Sequence, residues 1–363
     1  ADAGTIIPWR VYLNYADTRL LEEHFESAKH WVDFVRSKNS NHLWENARGG
    51  DYNDWLNADT LILEGWPVKG GAVPKHVFAT AFYAHSVDLV AKMAAVLGRS
   101  EEAKHYGQLF EQVKTAFNQA YVSSDGRIEG NTQAGYALAL YFDLLPEALR
   151  SKAAKHMVEA LKPYLGQLST GIQSTHRFLL ELTRNGLNEE AYRLLNLRSF
   201  PSWGFMIDNG ATTIWERWDG YVKGRGFQDP SMNSFNHWAF GAVGEWLWRN
   251  VIGINPEAST PGYQHFIIHP RPGGGLSWAR GSYDSIRGPI VSDWKIDNQL
   301  FKLKIVIPVN TSATVYIPTR DEKSVEESGN PVHAAKGIIV LGREEGALKY
   351  RVGSGTYEFT AAY

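Results

Sequence analysis

Apolar residues recur near every third or fourth position through the first two thirds of the chain and then switch to alternation. Over residues 19–36 the apolar positions are Leu20, Leu21, Phe25, Ala28, Val32 and Phe34/Val35, the stripe of an amphipathic helix. Pro74 opens a second helix, whose stripe runs Phe78, Phe82, His85, Leu89, Met93 and Val96 and stops at Gly98. Ser100 is expected to cap a third, with Glu101 and Glu102 in its first turn, running to about Tyr121. Helical periods also cover 133–145, 147–164, 173–185 and 188–197, with a short one near 7–15. The last, 235–251, is apolar nearly all round and is expected to be deeply buried. Loops rich in Gly, Asn, Asp and Trp join them at 41–72, 122–132, 165–172 and 198–233.

Helices in pairs joined by such loops predict an (α/α)6 toroid of inner and outer helices. Its closed form needs twelve, and the periods supply about nine or ten. The shortfall falls at the beginning, so the toroid is expected to lack its first helices. After Ile254-Asn-Pro the character changes to short β-rich runs at 265–269, 292–296, 300–308, 312–318, 337–341 and 356–361. Residues 301–307 (Phe-Lys-Leu-Lys-Ile-Val-Ile) alternate, and Asp297-Asn298 marks a tight turn before them. Such strands predict an antiparallel β-sandwich, giving domains 1–253 and 254–363.

Composition narrows the function classes. A net charge of −2 over 363 residues offers nothing to nucleic acid or an anionic membrane. No apolar run is long enough for a membrane span. The absence of cysteine removes disulfides, thiolate catalysis and Cys-ligated zinc, and it leaves the compartment open. No metal-ligand spacing and no phosphate-binding loop occurs, so no cofactor is expected. Aromatic residues make up 13% of the chain, and in glycine-punctuated loops beside acids they suit carbohydrate contacts.

Four constellations could carry chemistry. The tetrad Trp215-Glu216-Arg217-Trp218 sets a carboxylate between two indoles, with Asp219 behind it. Indoles stack on sugar rings, a carboxylate does proton chemistry on a glycosidic bond, and Arg217 is expected to hold Glu216 ionised. The second, Ser-Phe-Asn-His-Trp over 234–238, opens the last helix. Here His237 either converges with Glu216 or packs beside a cap formed by Ser234 or Asn236. The third, Gly-Gly-Asp-Tyr-Asn-Asp-Trp over 49–55, offers Asp54 as a polar contact and Trp55 as a stacking one, or else a simple Asx-turn. The fourth is Trp9, a pocket wall or a core residue. Gln133 and Thr170-Gly171 stand at similar helix starts and rank lower.

Residues 202–220 (Ser-Trp-Gly-Phe-Met-Ile-Asp-Asn-Gly-Ala-Thr-Thr-Ile-Trp-Glu-Arg-Trp-Asp-Gly), followed by Ser-Phe-Asn-His-Trp-Ala-Phe-Gly-Ala-Val-Gly-Glu-Trp over 234–246, strongly resemble the family 78 α-L-rhamnosidases. Supporting matches are Ile-Ile-Pro-Trp-Arg-Val-Tyr over 6–12, Asp-Trp-Leu over 54–56, Thr-Gln-Ala-Gly-Tyr-Ala-Leu over 132–138 and Pro-Gly-Tyr-Gln-His-Phe over 261–266. The resemblance covers essentially the whole chain. It implies an (α/α)6 barrel with a β-sandwich and inverting hydrolysis of terminal α-L-rhamnosyl bonds in a rhamnose-containing glycoside or polysaccharide. It makes Glu216 the general base, His237 a contact to the bound sugar, and Trp55 and Trp9 pocket walls. Asn53 stands before Asp54 where the family usually has Gly. The family's general acid lies in a motif just upstream of the segment matching residues 1–8, so that acid is expected in an N-terminal part of the same protein preceding this chain. Two alternatives are a non-catalytic glycan-binding relative and a polysaccharide lyase acting through Asn236, His237 and Tyr221.

Overall fold

The computed structural model describes residues 2–58, 71–229, 231 and 234–363. Their contacts form two compact units, Ala1–Ile6 with Glu22–Val243, and Ile7–Leu21 with Gly244–Tyr363.

Helices dominate the chain up to Ile252. In order they are α1 (Ala3–Tyr15), α2 (Arg19–Lys38), α3 (Lys75–Val96), α4 (Ser100–Tyr121), α5 (Gln133–Tyr141), α6 (Glu147–Glu159), α7 (Thr175–Arg184), α8 (Asn188–Leu195), α9 (Trp203–Asp208), α10 (Trp238–Gly241) and α11 (Val243–Trp246). They alternate between two environments. Nearly every residue of α5 and α7 is buried, and α3 is buried well beyond one stripe. By contrast α4, α6 and α8 bury a single face, such as Tyr106, Leu109, Val113 and Phe117 in α4. The inner helices contact one another, α3 with α5 and α5 with α7, and each also meets its outer partner. This is the inner and outer layering of a helical toroid.

Local chemistry sets the boundaries, with some departures from the sequence reading. Thr132 caps α5 by accepting the Gly135 N–H at 3.2 Å. Ser100 does not cap α4. It is the first helical residue, and Arg99 holds the cap position without a side-chain bond. Helix α1 starts at Ala3 and accommodates Pro8 inside it. Helix α9 lies in a stretch read as loop, started by Ser202, whose hydroxyl accepts the Phe205 N–H at 3.0 Å. The expected helix over 235–251 is shorter and less buried. It begins at Trp238, continues through α11 into a π-helical turn at Leu247–Ile252, and leaves Trp238 64% exposed.

One segment of the first unit carries a small hairpin, β1 (Tyr221–Val222) with β2 (Gly226–Phe227). The other strands are β3 (Ile254–Pro256), β4 (His265–Ile268), β5 (Trp278–Ser285), β6 (Gly288–Asp297), β7 (Leu300–Ile317), β8 (Glu326–Glu327), β9 (Asn330–Pro331), β10 (Ile338–Glu344) and β11 (Ala347–Ala362). The runs read as separate strands at 300–308 and 312–318 are one bent strand, β7. It bulges near Asn310, at positive φ, and β11 follows it with a register shift between Gly353 and Gly355. Before the bend β7 pairs with β6, and after it with β4. The β4–β7 pair is parallel, an exception to the expected antiparallel sandwich. Alternate residues Phe301, Leu303, Ile305 and Ile307 enter the core with Trp294, Phe266, Tyr350 and Phe359. The indole of Trp294 is fully buried and donates to the Val251 carbonyl at 2.7 Å.

Within the first unit, the segments that begin the inner helices meet at one end. A Cβ on Gly130, before α5, would stand 2.5 Å from the ring of Pro74, before α3. A Cβ on Gly71 would overlap Ser169, before α7. A Cβ on Gly171 would lie 2.3 Å from the carbonyl oxygens of both Asp54 and Trp55. These contacts gather the conspicuous loops of the sequence around the starts of α3, α5 and α7.

Candidate active site

Glu216 and His237 sit on two stretches of chain tied by their own backbones. The Glu216 N–H donates to the Ser234 carbonyl at 3.0 Å, and the His237 N–H donates to the Ile214 carbonyl at 2.9 Å. Thr213 Oγ1 also donates to the Phe235 carbonyl. These bonds set Glu216 Oε1 3.9 Å from His237 Nε2, with the two side chains 20% and 26% exposed. The structure thus brings the two residues together at a partly open position.

The helix cap expected from Ser234 or Asn236 is supplied by His237 itself. Its Nδ1 accepts the Ala239 N–H at 3.0 Å at the start of α10. An accepting Nδ1 carries no proton, so the neutral ring bears its hydrogen on Nε2, the nitrogen facing Glu216. A gap of 3.9 Å is too long for a direct hydrogen bond. The gap is wide enough for an oxygen placed about 2.8 Å from both atoms to bond to each.

The neighbours of Glu216 behave differently from their sequence reading. Trp215 and Trp218 are 4% and 2% exposed. Trp215 meets the edge of Phe235 at 5.3 Å. Trp218 stacks on Phe240 at 3.9 Å, crosses Trp203 at 5.2 Å and donates its indole N–H to the Thr170 carbonyl at 3.3 Å. Both indoles are framework and present no free face to a sugar. Arg217 is also buried, with Nε 3.1 Å from Asp219 and Nη1 3.3 Å from Asp229. Its guanidinium therefore serves two other carboxylates, where the sequence reading gave it the task of holding Glu216 ionised. Burial pushes the Asp219 carboxyl upward in pKa, and Arg217 opposes that shift.

Asp54 is the largest revision. It is 1% exposed, and its carboxylate accepts the backbone N–H of Gly171 at 2.7 Å, Gln173 at 3.0 Å and Ser174 at 3.1 Å, together with the Ser174 hydroxyl. It anchors its loop to the start of α7, with no oxygen turned toward a ligand. Burial raises its pKa while the four donors act to lower it. The Asx-turn of this loop belongs to Asp51, which accepts the Asn53 N–H at 3.0 Å. Trp55 is 38% exposed, edge-on to Tyr52 at 5.6 Å, and its carbonyl accepts the Ile172 N–H at 2.9 Å. Trp44, Trp215 and Trp218 are buried, whereas Trp55 keeps an accessible ring. Gln133 is a buried strut, donating to the Ala160 and Gln167 carbonyls and accepting the Ser169 N–H. Trp9 lies in the second unit, half-buried against Tyr12 at 5.3 Å.

Two exposed aromatics escaped the sequence reading as site residues. Trp238 lies 6.1 Å from the His237 ring in a stacked pose, and Phe227, 64% exposed, meets Tyr221 and Phe235. Trp238 adjoins His237 in the motif already singled out, and Phe227 follows a Gly-Arg-Gly turn. Among the described residues, no group of three or more His, Asp or Glu is arranged to hold a metal ion, and no helix is long and apolar enough to cross a membrane.

Known families match both parts of the chain. The bacterial alpha-L-rhamnosidase six-hairpin glycosidase domain matches residues 1–251, and the bacterial alpha-L-rhamnosidase C-terminal domain matches 253–331. An alpha-L-rhamnosidase of Streptomyces avermitilis is 41% identical over 99% of this chain and 32% of its own length. One from Formosa agariphila is 35% identical over 100% of this chain and 38% of its own. The crystal structure of a Streptomyces avermitilis alpha-L-rhamnosidase complexed with L-rhamnose superposes with a TM-score of 0.89 at 39% identity, covering 99% of this chain and 32% of that one. The chain thus spans about a third of the length of these relatives. With the helical unit, the sandwich and the Glu216 segment all matched, the chain belongs to the family 78 α-L-rhamnosidases.

Proposed function

We propose that this chain contributes the water-activating half of an inverting α-L-rhamnosidase site, with Glu216 as general base. The carrying observation is the 3.9 Å gap between Glu216 Oε1 and His237 Nε2. A water lodged there donates one hydrogen to Glu216 and accepts from His237 Nε2–H, which leaves its second lone pair for the anomeric carbon. As attack proceeds, Glu216 takes the proton and the water oxygen becomes the new anomeric hydroxyl. The configuration inverts because the water and the leaving oxygen occupy opposite faces. His237 also suits a contact to a hydroxyl of the bound sugar. Trp55, Trp238 and Phe227 offer the exposed rings against which a rhamnose-containing glycoside or polysaccharide packs.

The acids on the same segment do not fit the proton-donor role. Asp219 and Asp229 are both ion-paired with Arg217, and Asp219 is buried out of reach of substrate. The general acid is therefore assigned outside this group. Rhamnosides with leaving groups of increasing basicity test the whole reading. If the acid lies outside this chain, turnover persists on aryl rhamnosides with good leaving groups and falls steeply on alkyl ones. Glu216→Gln lowers aryl turnover by about 10²–10⁴-fold, and azide restores it by giving a rhamnosyl azide of inverted configuration. A flat leaving-group dependence would place an acid within this chain. Unchanged turnover in Glu216→Gln would remove Glu216 from the mechanism, and absent turnover on every substrate with intact rhamnose binding would favour a glycan-binding role.

A further inference from the structure

The second unit contains a polar cleft that this chemistry does not use. It measures about 280 Å³ and is lined in part by Asn250, Asn255, His269, Arg271, Tyr316 and Glu345. The sequence builds it from a close backbone approach. Gly253 ends the π-helical turn at φ +89°, and a Cβ there would lie 2.2 Å from Pro270 N. Its absence lets the chain after β4 close in, so that the His269 N–H donates to the Gly253 carbonyl and the Arg271 N–H to the Asn250 carbonyl, both at 2.8 Å. Across from them, Glu345 and Gly346 form the two-residue turn between β10 and β11, both at positive φ. This turn holds Glu345 Oε2 2.5 Å from Arg271 Nη2.

Two lining side chains have chemistry to spare. Asn250 and His269 are 7% and 8% exposed, and neither side chain has a hydrogen-bond partner among the described residues. Polar side chains buried this far are nearly always partnered, so each such case calls for a ligand or water. The His269 ring lies flat on Tyr316, 3.9 Å away at 6°, which fixes its orientation. Burial first, and Arg271 second, hold its pKa down to about 3, so at neutral pH the ring offers one donor and one acceptor.

The charge balance selects the ligand class. Arg271 is met by Glu345, and Arg249, which also lines the cleft, is met by Glu245 at 3.2 Å. Each cation is met by a carboxylate, Glu345 for Arg271 and, for Arg249, a Glu245 oxygen shared with Arg10 at 3.4 Å, so the positive charge of the cleft is largely offset. An amide, a neutral imidazole and paired guanidinium–carboxylate groups present donors and acceptors together, which is what vicinal hydroxyls require. The volume lies near the lower end for small-molecule sites and suits a single pyranose. We propose that this cleft is a secondary binding site for one neutral sugar residue, with Asn250 and His269 as its recognition groups. The inference rests on the cleft's own groups and stands whether or not Glu216 is a base.

Nitrogen-15-labelled histidine in the full chain provides the test, with the His269 ring signals assigned from His269→Phe, which keeps a ring against Tyr316. L-Rhamnose, D-galactose, D-glucuronate and inorganic phosphate are titrated separately. A neutral sugar is expected to move the His269 signals saturably, with a dissociation constant on the order of 1 mM. Asn250→Leu weakens that binding about tenfold, and it carries the test if His269→Phe folds poorly. Glu216→Gln leaves the His269 response intact, which separates this site from the one above. Response to phosphate or glucuronate alone would make the cleft an anion site and overturn the proposal. So would silence toward every probe, or undiminished affinity in Asn250→Leu.

Discussion

Replacing Asp54 by Ala removes the acceptor of four hydrogen bonds at the start of α7. Three of the donors are backbone N–H groups, of Gly171, Gln173 and Ser174, and the fourth is the Ser174 hydroxyl. The hydroxyl can turn elsewhere, but the three N–H groups cannot. Each costs about 1 kcal/mol when water from the vacated space takes over part of the bonding. The expected loss is therefore about 3 kcal/mol, with relief of the buried charge acting against it. For a unit of this size that lowers the melting temperature by roughly 6–12 °C. Asp54→Asn keeps one carbonyl oxygen for Gln173 and Ser174 and should cost about 1 kcal/mol. Urea titration followed by tryptophan fluorescence reads both variants, alongside KM for an aryl rhamnoside. Unchanged denaturation midpoints with a raised KM would refute this reasoning and return Asp54 to the sugar-contact role first read from the sequence.

Gly171→Ala places a methyl 2.3 Å from two carbonyl oxygens of the 54–55 backbone, so this loop must shift. Stability should fall by about 2–4 kcal/mol, with KM for rhamnosides rising because Trp55 moves with the loop; a variant as stable as the parent by thermal melt would show that the approach is not needed. Glu181 in α7 is buried, and burial raises its pKa to about 8 against the opposing charge of Arg150. Its folded pKa exceeds the unfolded one, so the stability it contributes is complete below about pH 4.5 and is lost as pH rises toward 8. Glu181→Gln should flatten that slope and gain on the order of 3 kcal/mol relative to the parent at pH 8; parallel stability profiles for the two proteins would contradict this.

The sequence conveys the architecture wherever one period dominates. The change at Ile254 from helical spacing to alternation is such a place, because burying one face of a strand needs period two. Inner helices are harder. Helix α3 was read as a stripe, yet Thr80 and Ser86 on it are buried as well, satisfied by the Trp44 N–H and by Asp2. Partners that distant leave no local trace. The same holds at the site. The proximity of Glu216 and His237 is legible because short motifs surround them. Asp54 looked equally suited to bind sugar, and its actual partners lie more than 100 residues away. The flanking indoles Trp215 and Trp218 show the same error, in which chemical aptitude is taken for exposure. Strand β5 shows no clean alternation because Ala279 and Gly281 interrupt its pattern.

The main-chain bonds from Glu216 to Ser234 and from His237 to Ile214 have an evolutionary consequence. They fasten both ends of the intervening excursion, which carries the small hairpin and the exposed Phe227. Side chains along that excursion can be exchanged without disturbing the spacing of the two anchored residues, because peptide groups hold the posts. A descendant of this chain can therefore vary that tethered segment by drift while the spacing of Glu216 and His237 stays as inherited.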